Sequence, residues 1–392
     1  MVKINLALPI DSTFLSEVMY EGILYLISKY GVSFNSKESV VEDSFLKDCF
    51  KNLSPDVYEN IKVVLTGNDD INTKIFEKFG LSSVTSKKVL YDLYRKLQEN
   101  STYFNSKNEI NLKQELKGSS ILFDVDDKKD GLSLQLLKLD RYTGLTTTDL
   151  HYSSKKLTSY FSKELILISL IGIYSSYITS IITMTSKGRM STHYFLFFAP
   201  DEILSLLSRK ERAFISKVIK VKDEIKSLVK DVISFSQFNE ILLLELTLNT
   251  KIHESLENEN LDKISTLMFK ICPEGQTYKI YEVVPITLFK DALFNYKVKE
   301  YFKGRHEIFL EAVQNFLHNE NVRRALSSLN SRKKMDEADN ILSAIQNLYK
   351  FITFGDIQGY LTFTRNIFVA HDKTKNEQGS SPYLPLLVRF PY

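Results

Sequence analysis

The longest stretch of the chain without a charged residue is Leu165–Ser186, which reads LILISLIGIYSSYITSIITMTS. Small or hydroxylated residues recur in it every three or four positions and would share one face of a helix: Ser169, Gly172, Ser176, Thr179 and Thr183. A face of this kind lets another backbone approach closely. Because Leu, Ile and Tyr cover the remaining faces, the pattern predicts a long buried helix over about 154–186.

Two alternatives to a buried helix stay open for this stretch. A charge-free run of about 20 residues is long enough to cross a bilayer, and a pair of buried strands has the same apolar content. The many hydroxyl groups, and a mean hydropathy of −0.15 for the chain, favour burial within the protein. Lys187-Gly188-Arg189 ends the run, and the apolar residues after it predict a strand at 190–199 that Pro200 stops.

The segments around this core predict a mixed α/β body over 1–285. Alternation over Lys3–Leu8 indicates a first strand. The apolar periodicity that follows indicates a helix beginning after Asp11 or Ser12 and ending at Gly31. The other predicted segments are a mostly helical stretch at 37–117, two strands around a turn at 126–131, one or two helices at 201–233, and a strand at 277–284 before Pro285.

From Ile286 onward the pattern becomes helical, with apolar residues recurring at spacings of three and four. Four consecutive helices are predicted at 286–303, 306–329, 335–352 and 355–370, followed by a loop at 371–381. Short connections between consecutive helices favour an antiparallel bundle. We therefore expect an α+β fold that is predominantly helical, with the mixed α/β body at 1–285. An antiparallel four-helix bundle with a docked C-terminal tail would follow at 286–392.

Composition limits the classes of protein that the chain can belong to. Its 43% hydrophobic and 25% charged residues are typical of a globular protein. A net charge of only +3 means that any nucleic-acid binding must come from local patches. Two cysteines, Cys49 and Cys272, exclude a disulfide framework and a four-cysteine zinc site, and they indicate buried thiols in a reducing compartment. Because the N-terminus lacks the plan of a signal peptide, we expect a cytoplasmic protein.

Catalytic motifs are absent from the sequence in the forms that are readily recognised. It contains no GxxxxGK[ST], GxGxxG, GxSxG or HExxH pattern. The acidic turn before Gly131 fails the calcium-loop register, because Lys128 and Leu137 stand where ligands belong. The pair His371-Asp372 is similar to that of metal-dependent phosphohydrolases, but it has no evident partner ligands. We predict a protein that is not an enzyme and that uses no cofactor or metal.

Three basic clusters are candidate nucleic-acid contacts. Cations interleaved with aromatic residues can hold backbone phosphates and stacked bases, although a solvated helix face is the alternative interpretation of each cluster. The same alternative applies to 209–231, which has eight Lys or Arg against four acidic residues. The clusters are Lys187 and Arg189 with His193; Lys297, Lys299, Lys303 and Arg305 with Lys290, Tyr296 and Tyr301; and Arg323, Arg324, Arg332 and Lys333 with Lys334.

The order of elements resembles that of a known family. The initial strand KINLALP, the GRMSTHYFLFFAP and TYKIYEVVP strands and the terminal helices resemble the large subunit of archaeal type I-A CRISPR interference complexes. The resemblance implies a non-catalytic subunit of a crRNA-guided Cascade complex. Its body would help to recognise the protospacer-adjacent motif, and its bundle would help to hold target or displaced strands. It would work with crRNA, target DNA and other Cas subunits, and would recruit a Cas3-type helicase–nuclease.

We therefore predict a large subunit of a crRNA-guided DNA-targeting complex, with no membrane association. Two other functions stay open. One is a structural or interaction protein, such as one encoded by a mobile element, that contacts only other proteins. The other is a divergent metal-dependent phosphohydrolase built around His371 and Asp372.

Overall fold

The protein is a mixed α/β structure in which helices predominate, as the sequence predicts. The computed structural model describes residues 1–11, 13–64, 69–81, 89–99, 107–137, 158–185, 188–274, 277–290, 296–329 and 335–391. In chain order its strands and helices are β1 (Val2–Asn5), α1 (Phe14–Tyr30), β2 (Gly31–Phe34), β3 (Glu38–Val41), α2 (Phe45–Lys51), α3 (Pro55–Tyr58), α4 (Asp69–Lys78), α5 (Val89–Glu99), β4 (Glu109–Asn111), β5 (Gln114–Lys117), β6 (Ser120–Phe123), β7 (Thr158–Phe161), α6 (Lys163–Ser176), β8 (Tyr177–Thr185), β9 (Gly188–Phe198), α7 (Pro200–Arg209), α8 (Arg212–Phe235), α9 (Asn239–Thr247), α10 (Thr250–Asn258), β10 (Lys263–Glu274), β11 (Thr277–Phe289), α11 (Tyr296–Phe302), α12 (His306–Leu317), α13 (Glu320–Ser328), α14 (Ala338–Phe354), α15 (Ile357–Gln378) and α16 (Leu384–Leu387).

The chain forms two units, and each is assembled from several segments of sequence. Unit 1 contains Met1–Ile181, Ser191–Lys220 and Ser265–Ile286, and unit 2 contains Ile182–Met190, Val221–Ile264 and Thr287–Tyr392. We predicted a single boundary at 285/286. By Cα proximity unit 1 ends at Ile286, and the helices of Val221–Ile264 group with unit 2.

Helices α1 and α6 cross in unit 1 with their backbones in contact. A Cβ atom on Gly172 would lie 1.9 Å from the carbonyl oxygen of Val18, and one on Gly22 would lie 2.2 Å from that of Ile168. Only glycine fits at both positions, because any side chain would meet backbone on the facing helix. This is the close approach that the small residues of α6 predicted. The Oγ of Ser175 donates a hydrogen bond to the buried Glu21 carboxylate at the same interface.

The predicted long helix over about 154–186 is wrong at both ends. Residues 154–157 lie outside the described residues, and strand β7 then pairs in parallel with β6. Helix α6 begins after the N-cap Ser162, whose Oγ accepts from the Leu165 N–H at 3.3 Å, and it ends at Ser176. The residues after Ser176 form β8, because a segment dense in Ile and Thr favours extended backbone over helix. Among the described residues, no helix has the length and apolar character needed to span a bilayer.

Strand β9, predicted at 190–199, lies inside a four-stranded sheet of order β11-β10-β9-β8. Its residues from Thr192 to Phe198 are all buried. Phe195 is opposite Phe269 of the antiparallel strand β10, and the Phe195, Phe197 and Phe269 rings surround Phe14 of α1 at 5.2 to 6.1 Å. This aromatic cluster fixes α1 against the sheet.

Strand β11 continues through Pro285, where we predicted that it would stop. The strand is at the edge of its sheet, and Pro285 is exposed. Proline is tolerated at a sheet edge because no neighbouring strand needs its missing N–H. Residues 286–289 of the helix predicted at 286–303 are therefore strand, and α11 (Tyr296–Phe302) is its described helical part.

Two further sheets differ from the prediction. One contains a strand where we predicted helix, and the other has its hairpin turn at a different position. One sheet has the order β2-β3-β1-β4 and takes in residues 38–41, inside the stretch predicted to be mostly helical. The other has the order β5-β6-β7. Its hairpin turns at Gly118, where φ is +63° and favours glycine, and not at 126–131.

The described part of the C-terminal region forms six helices where we predicted four. The predicted second helix is divided into α12 and α13 at Asn319, whose side chain accepts from the Asn321 N–H and so caps α13. Helix α15 continues to Gln378 through residues that we expected to form a loop. The tail is anchored by Phe390, which is buried and lies 5.1 Å from the Phe363 ring.

Candidate nucleic-acid interface

The second predicted basic cluster lies on α11 and on the turn that follows it, both within unit 2. Val298 and Phe302, four residues apart, bury one side of the helix, and the Phe302 ring stacks on Phe309 at 4.4 Å. The helix ends because Lys303 and Gly304 both have positive φ, at +23° and +74°. The opposite side of α11 and this turn therefore face solvent, while the buried side chains of Val298 and Phe302 hold the helix in place.

Tyr301 is an exposed aromatic ring with a rigid position. Its ring meets Phe302, Phe351 and Tyr360 edge-on at 5.0 to 6.0 Å, yet 45% of the residue is accessible. An exposed aromatic ring that is held by contacts with other rings is a side chain on which a nucleic-acid base can stack. Tyr296, at the start of the same helix, is 62% exposed.

Four cations lie on the same segment as these tyrosines. Lys297, Lys299, Lys303 and Arg305 are all exposed, and within 296–307 only Glu300 and Glu307 carry negative charge. The cluster is therefore locally positive. The backbone of Arg305 is fixed as the N-cap of α12, with its N–H bonded to the Phe302 carbonyl at 2.8 Å. The structure thus brings the four predicted residues of this cluster onto one short segment with two exposed aromatic rings.

Arg323 of the third cluster is committed to contacts inside unit 2. Its guanidinium lies 4.4 Å above the Phe235 ring, donates to the Leu317 carbonyl at 3.2 Å, and approaches the buried Glu245 carboxylate at 3.7 Å. The same carboxylate is 2.9 Å from His318 Nε2. These contacts make Arg323 a structural residue, in contrast to its neighbour Arg324. Arg324 is exposed and donates to the Asn321 side chain. Arg332 and Lys333 lie outside the described residues.

The first cluster contains a histidine that cannot serve as a surface cation. His193 is 4% exposed in β9, and burial lowers its pKa to about 4, so its imidazole is neutral at physiological pH. Lys187 lies outside the described residues, and Arg189 is described only as a backbone position in β9. Adjacency in sequence was misleading here, because the strand carries His193 into the core.

Two arginines in the basic stretch at 209–231 are also committed to internal contacts. Arg212 donates to the backbone carbonyls of Ser28 and Lys29, near the C-terminal end of α1. A cation at that end compensates the helix dipole. Arg209 lies over the Phe214 ring at 4.0 Å. The solvated-face interpretation misses both roles.

The cysteines and the His371-Asp372 pair are not arranged as an active site requires. Burial raises the pKa of Cys49 to about 12, so its thiol is protonated. Cys272 is buried beside Thr192. His371 and Asp372 lie on α15, and among the described residues no three His, Cys, Asp or Glu side chains are grouped as a metal site requires.

Unit 1 also contains a cleft of about 630 Å³ that the sequence did not predict. Lys78, Lys107, Lys113 and Lys163 line it together with acidic residues that include Asp124. Lys107 Nζ is 3.3 Å from the Asp124 carboxylate, so the lysines are partly neutralised. No sequence pattern indicated this cleft, because its residues come from α4, the β-strand region and α6.

Comparisons with known proteins give one informative match. No protein-family model and no solved structure matches the chain. A protein of Archaeoglobus fulgidus, described as an uncharacterized protein, is 41% identical over 377 residues, which cover 96% of this chain and 94% of the relative. Similarity at this level over nearly the full length of both chains means that this protein belongs to the same family as the archaeal protein.

Proposed function

We propose that this protein binds nucleic acid through α11 and the turn after it. The observation that carries the proposal is the exposed ring of Tyr301, which is held by contacts with other rings, on the same segment as the cations of α11 and the turn. Lysine and arginine attract phosphates at any sequence, and base stacking on an aromatic ring contributes about 1–3 kcal/mol per base. A single strand offers both groups at once, whereas a duplex hides the faces of its bases.

We further propose that the protein acts as the non-catalytic large subunit of a crRNA-guided DNA-targeting complex. The order of elements supports this assignment by resemblance, and the archaeal origin of the 41% identical relative agrees with it. In this proposal four of the six described C-terminal helices pack as an antiparallel bundle that holds target or displaced strands. The mixed α/β unit contributes to recognition of the protospacer-adjacent motif and to recruitment of the nuclease–helicase, in the cytoplasm.

The first experiment removes cations from the turn after α11. The double variant Lys303→Ala/Arg305→Ala of the full chain is titrated with a fluorescent single-stranded oligonucleotide at several salt concentrations. Each lost phosphate contact lowers the slope of log K against log salt by about 0.7, so the slope should fall by about 1.4. Lys230→Ala/Lys251→Ala, which removes two exposed cations from α8 and α10, is the charge-matched control and should retain the wild-type slope.

Two outcomes count against the proposal. Equal slopes of log K against log salt for the α11 variant and its control would exclude α11 and its turn as the nucleic-acid contact. No binding by the wild-type chain at low salt would remove nucleic-acid binding by the isolated protein. The specific complex needs a separate assay, in which guide RNA, duplex DNA and the partner subunits are present and the wild-type chain is required for a shifted species.

A protein that contacts only other proteins is a second candidate function. The observation that favours it is a row of exposed apolar side chains on α15.

A further inference from the structure

Helix α15 presents apolar side chains to solvent along one face. Ile357, Leu361 and Phe368 are 42%, 51% and 46% exposed, and their spacing of four and seven residues places them within one stripe. Scattered exposed apolar residues are normal on a protein surface, but a contiguous stripe marks an interaction site.

The C-terminal tail supplies the second side of a groove along this stripe. Leu384 and Val388 are 37% and 64% exposed and line the groove with Leu361, Phe368 and Val369. The groove has a volume of about 710 Å³. An apolar channel that runs along a helix accepts another helix through residues spaced three and four apart.

Among the described residues, two charged side chains of opposite sign line the groove, and they lie at equal distances in sequence from its central apolar residues. Arg365 and Asp372 are both exposed and lie seven residues apart on the α15 stripe, with Phe368 and Val369 midway between them. Two helical turns separate them by about 10 Å along the axis, so they do not pair with each other in one chain. Within the described residues neither forms an ion pair.

We propose that this groove is filled by α15 of a second copy of the chain, in an antiparallel pair around a two-fold axis at Phe368 and Val369. In that arrangement Arg365 of each copy lies opposite Asp372 of the other, which gives two identical ion pairs around an apolar centre. A two-fold interface requires such self-complementarity. A parallel pair would instead place like charges together. The inference does not depend on the proposed nucleic-acid binding, because the cations proposed to bind nucleic acid lie outside the groove lining.

The experiment exchanges the two charges in the full-length protein and measures its oligomeric state by sedimentation over a concentration series. Arg365→Asp alone and Asp372→Arg alone each place like charges opposite one another twice. We expect either variant to weaken the dimer at least about tenfold, because like charges across an interface are strongly unfavourable. The double variant Arg365→Asp/Asp372→Arg should restore the wild-type dissociation constant. Since both residues are exposed, urea unfolding should show that all three variants fold normally.

Each possible outcome decides the proposal. Restoration by the double exchange supports the antiparallel pair, since no other arrangement of the two residues predicts it. A wild-type chain that stays monomeric up to about 100 µM would overturn the proposal, whether or not a different protein binds the groove. A dimer that all three variants leave unchanged would place the interface elsewhere, and a dimer weakened by all three would exclude pairing between Arg365 and Asp372.

Discussion

The contact between α1 and α6 gives the sharpest quantitative test of the fold, through the substitution Gly172→Ala. The added Cβ would lie 1.9 Å from the Val18 carbonyl oxygen, 2.9 Å from its carbonyl carbon and 3.1 Å from the Gly22 nitrogen. Ordinary van der Waals contact begins near 3.4 Å, so the helices would have to separate by more than an ångström. All three neighbouring atoms belong to backbone, which cannot rotate away as a flexible side chain would.

Two opposing terms set the magnitude of this effect. Alanine is favoured over glycine within a helix by about 1 kcal/mol. Overpacking of a dense core costs about 1–3 kcal/mol, and more where the backbone must move. Because the clash here is with backbone, we expect it to dominate and to destabilise unit 1 by about 3 kcal/mol. Gly22→Ala tests the same contact from helix α1, since its added Cβ would lie 2.2 Å from the Ile168 carbonyl oxygen. The double variant should therefore lose less than the sum of the single losses, since helices already forced apart accommodate the second methyl group.

Hydrogen exchange measured on peptides from α1 and α6 reports this change locally, alongside urea unfolding of the whole chain. A loss of about 3 kcal/mol corresponds to roughly 100-fold faster exchange. Ser169→Ala, one turn earlier on α6, is the control. It removes only a hydroxyl bonded to the Ile166 carbonyl of its own helix and should change stability little. Wild-type exchange and unfolding for Gly172→Ala would refute the close crossing of the two backbones.

Two further substitutions test how the structure uses its charged side chains. Arg323→Ala loses the Phe235 ring contact, a hydrogen bond and the partner of a buried carboxylate, so it should destabilise unit 2 by about 2 kcal/mol. Arg324→Ala should remain within about 0.5 kcal/mol of the wild type in the same urea titration, and equal losses would contradict the structural role of Arg323. His193 has a folded pKa of about 4, below its unfolded value of 6.5, so its neutral form stabilises the fold fully above pH 6.5. This contribution falls by about 1.4 kcal/mol per pH unit between pH 6.5 and 4. In His193→Gln, the slope of the unfolding free energy against pH between pH 4 and 6.5 should be smaller by that amount. An unchanged slope would mean that His193 is not buried as a neutral group.

The sequence predicted the burial of the charge-free segment, and this is correct for Leu165–Ile178, because burial follows from the absence of charge. From Thr179 onward the described residues are partly exposed, and Ile182 is 64% exposed. It predicted the role of Gly172 because small residues at helical spacing form a face that a second backbone can approach closely. The end of α6 at Ser176 was less accessible, since apolar residues continue on both sides of that point. The density of Ile and Thr after Tyr177 was the only signal of the change to strand, and that signal is weak beside a long hydrophobic run.

Positions in the sheets were harder to predict than the existence of strands. β11 continues through Pro285 because it is an edge strand, and a single sequence does not indicate which strand lies at an edge. In β9 the residues on both faces are buried, so the strand lacks the alternation that would mark His193 as internal. A basic cluster that looked continuous in sequence therefore contains a core residue.

In the candidate site, too, local sequence does not show which charged residues make tertiary contacts. The cations of the second cluster lie on a single short helix and its turn, so sequence proximity was enough to group them. Arg323 is a different case, because the ring and the carboxylate that hold it come from α8 and α9, far away in the chain. Nothing in the local sequence separates Arg323 from Arg324, and only tertiary contacts assign one to the interior and leave the other exposed.

The two proposed surfaces of unit 2 share one residue, Tyr301, and this dictates how they must be tested. Tyr301 provides the ring beside the α11 cations, and it also lines the groove along α15. A Tyr301 substitution would therefore affect both surfaces and could not distinguish nucleic-acid binding from self-association. Lys303 and Arg305 are absent from the groove lining, while Arg365 and Asp372 line the groove and lie outside α11 and its turn. Because each pair of variants changes charge at only one surface, a loss confined to one activity identifies the surface responsible for it. A loss of both activities from either pair would mean that the two surfaces act as one.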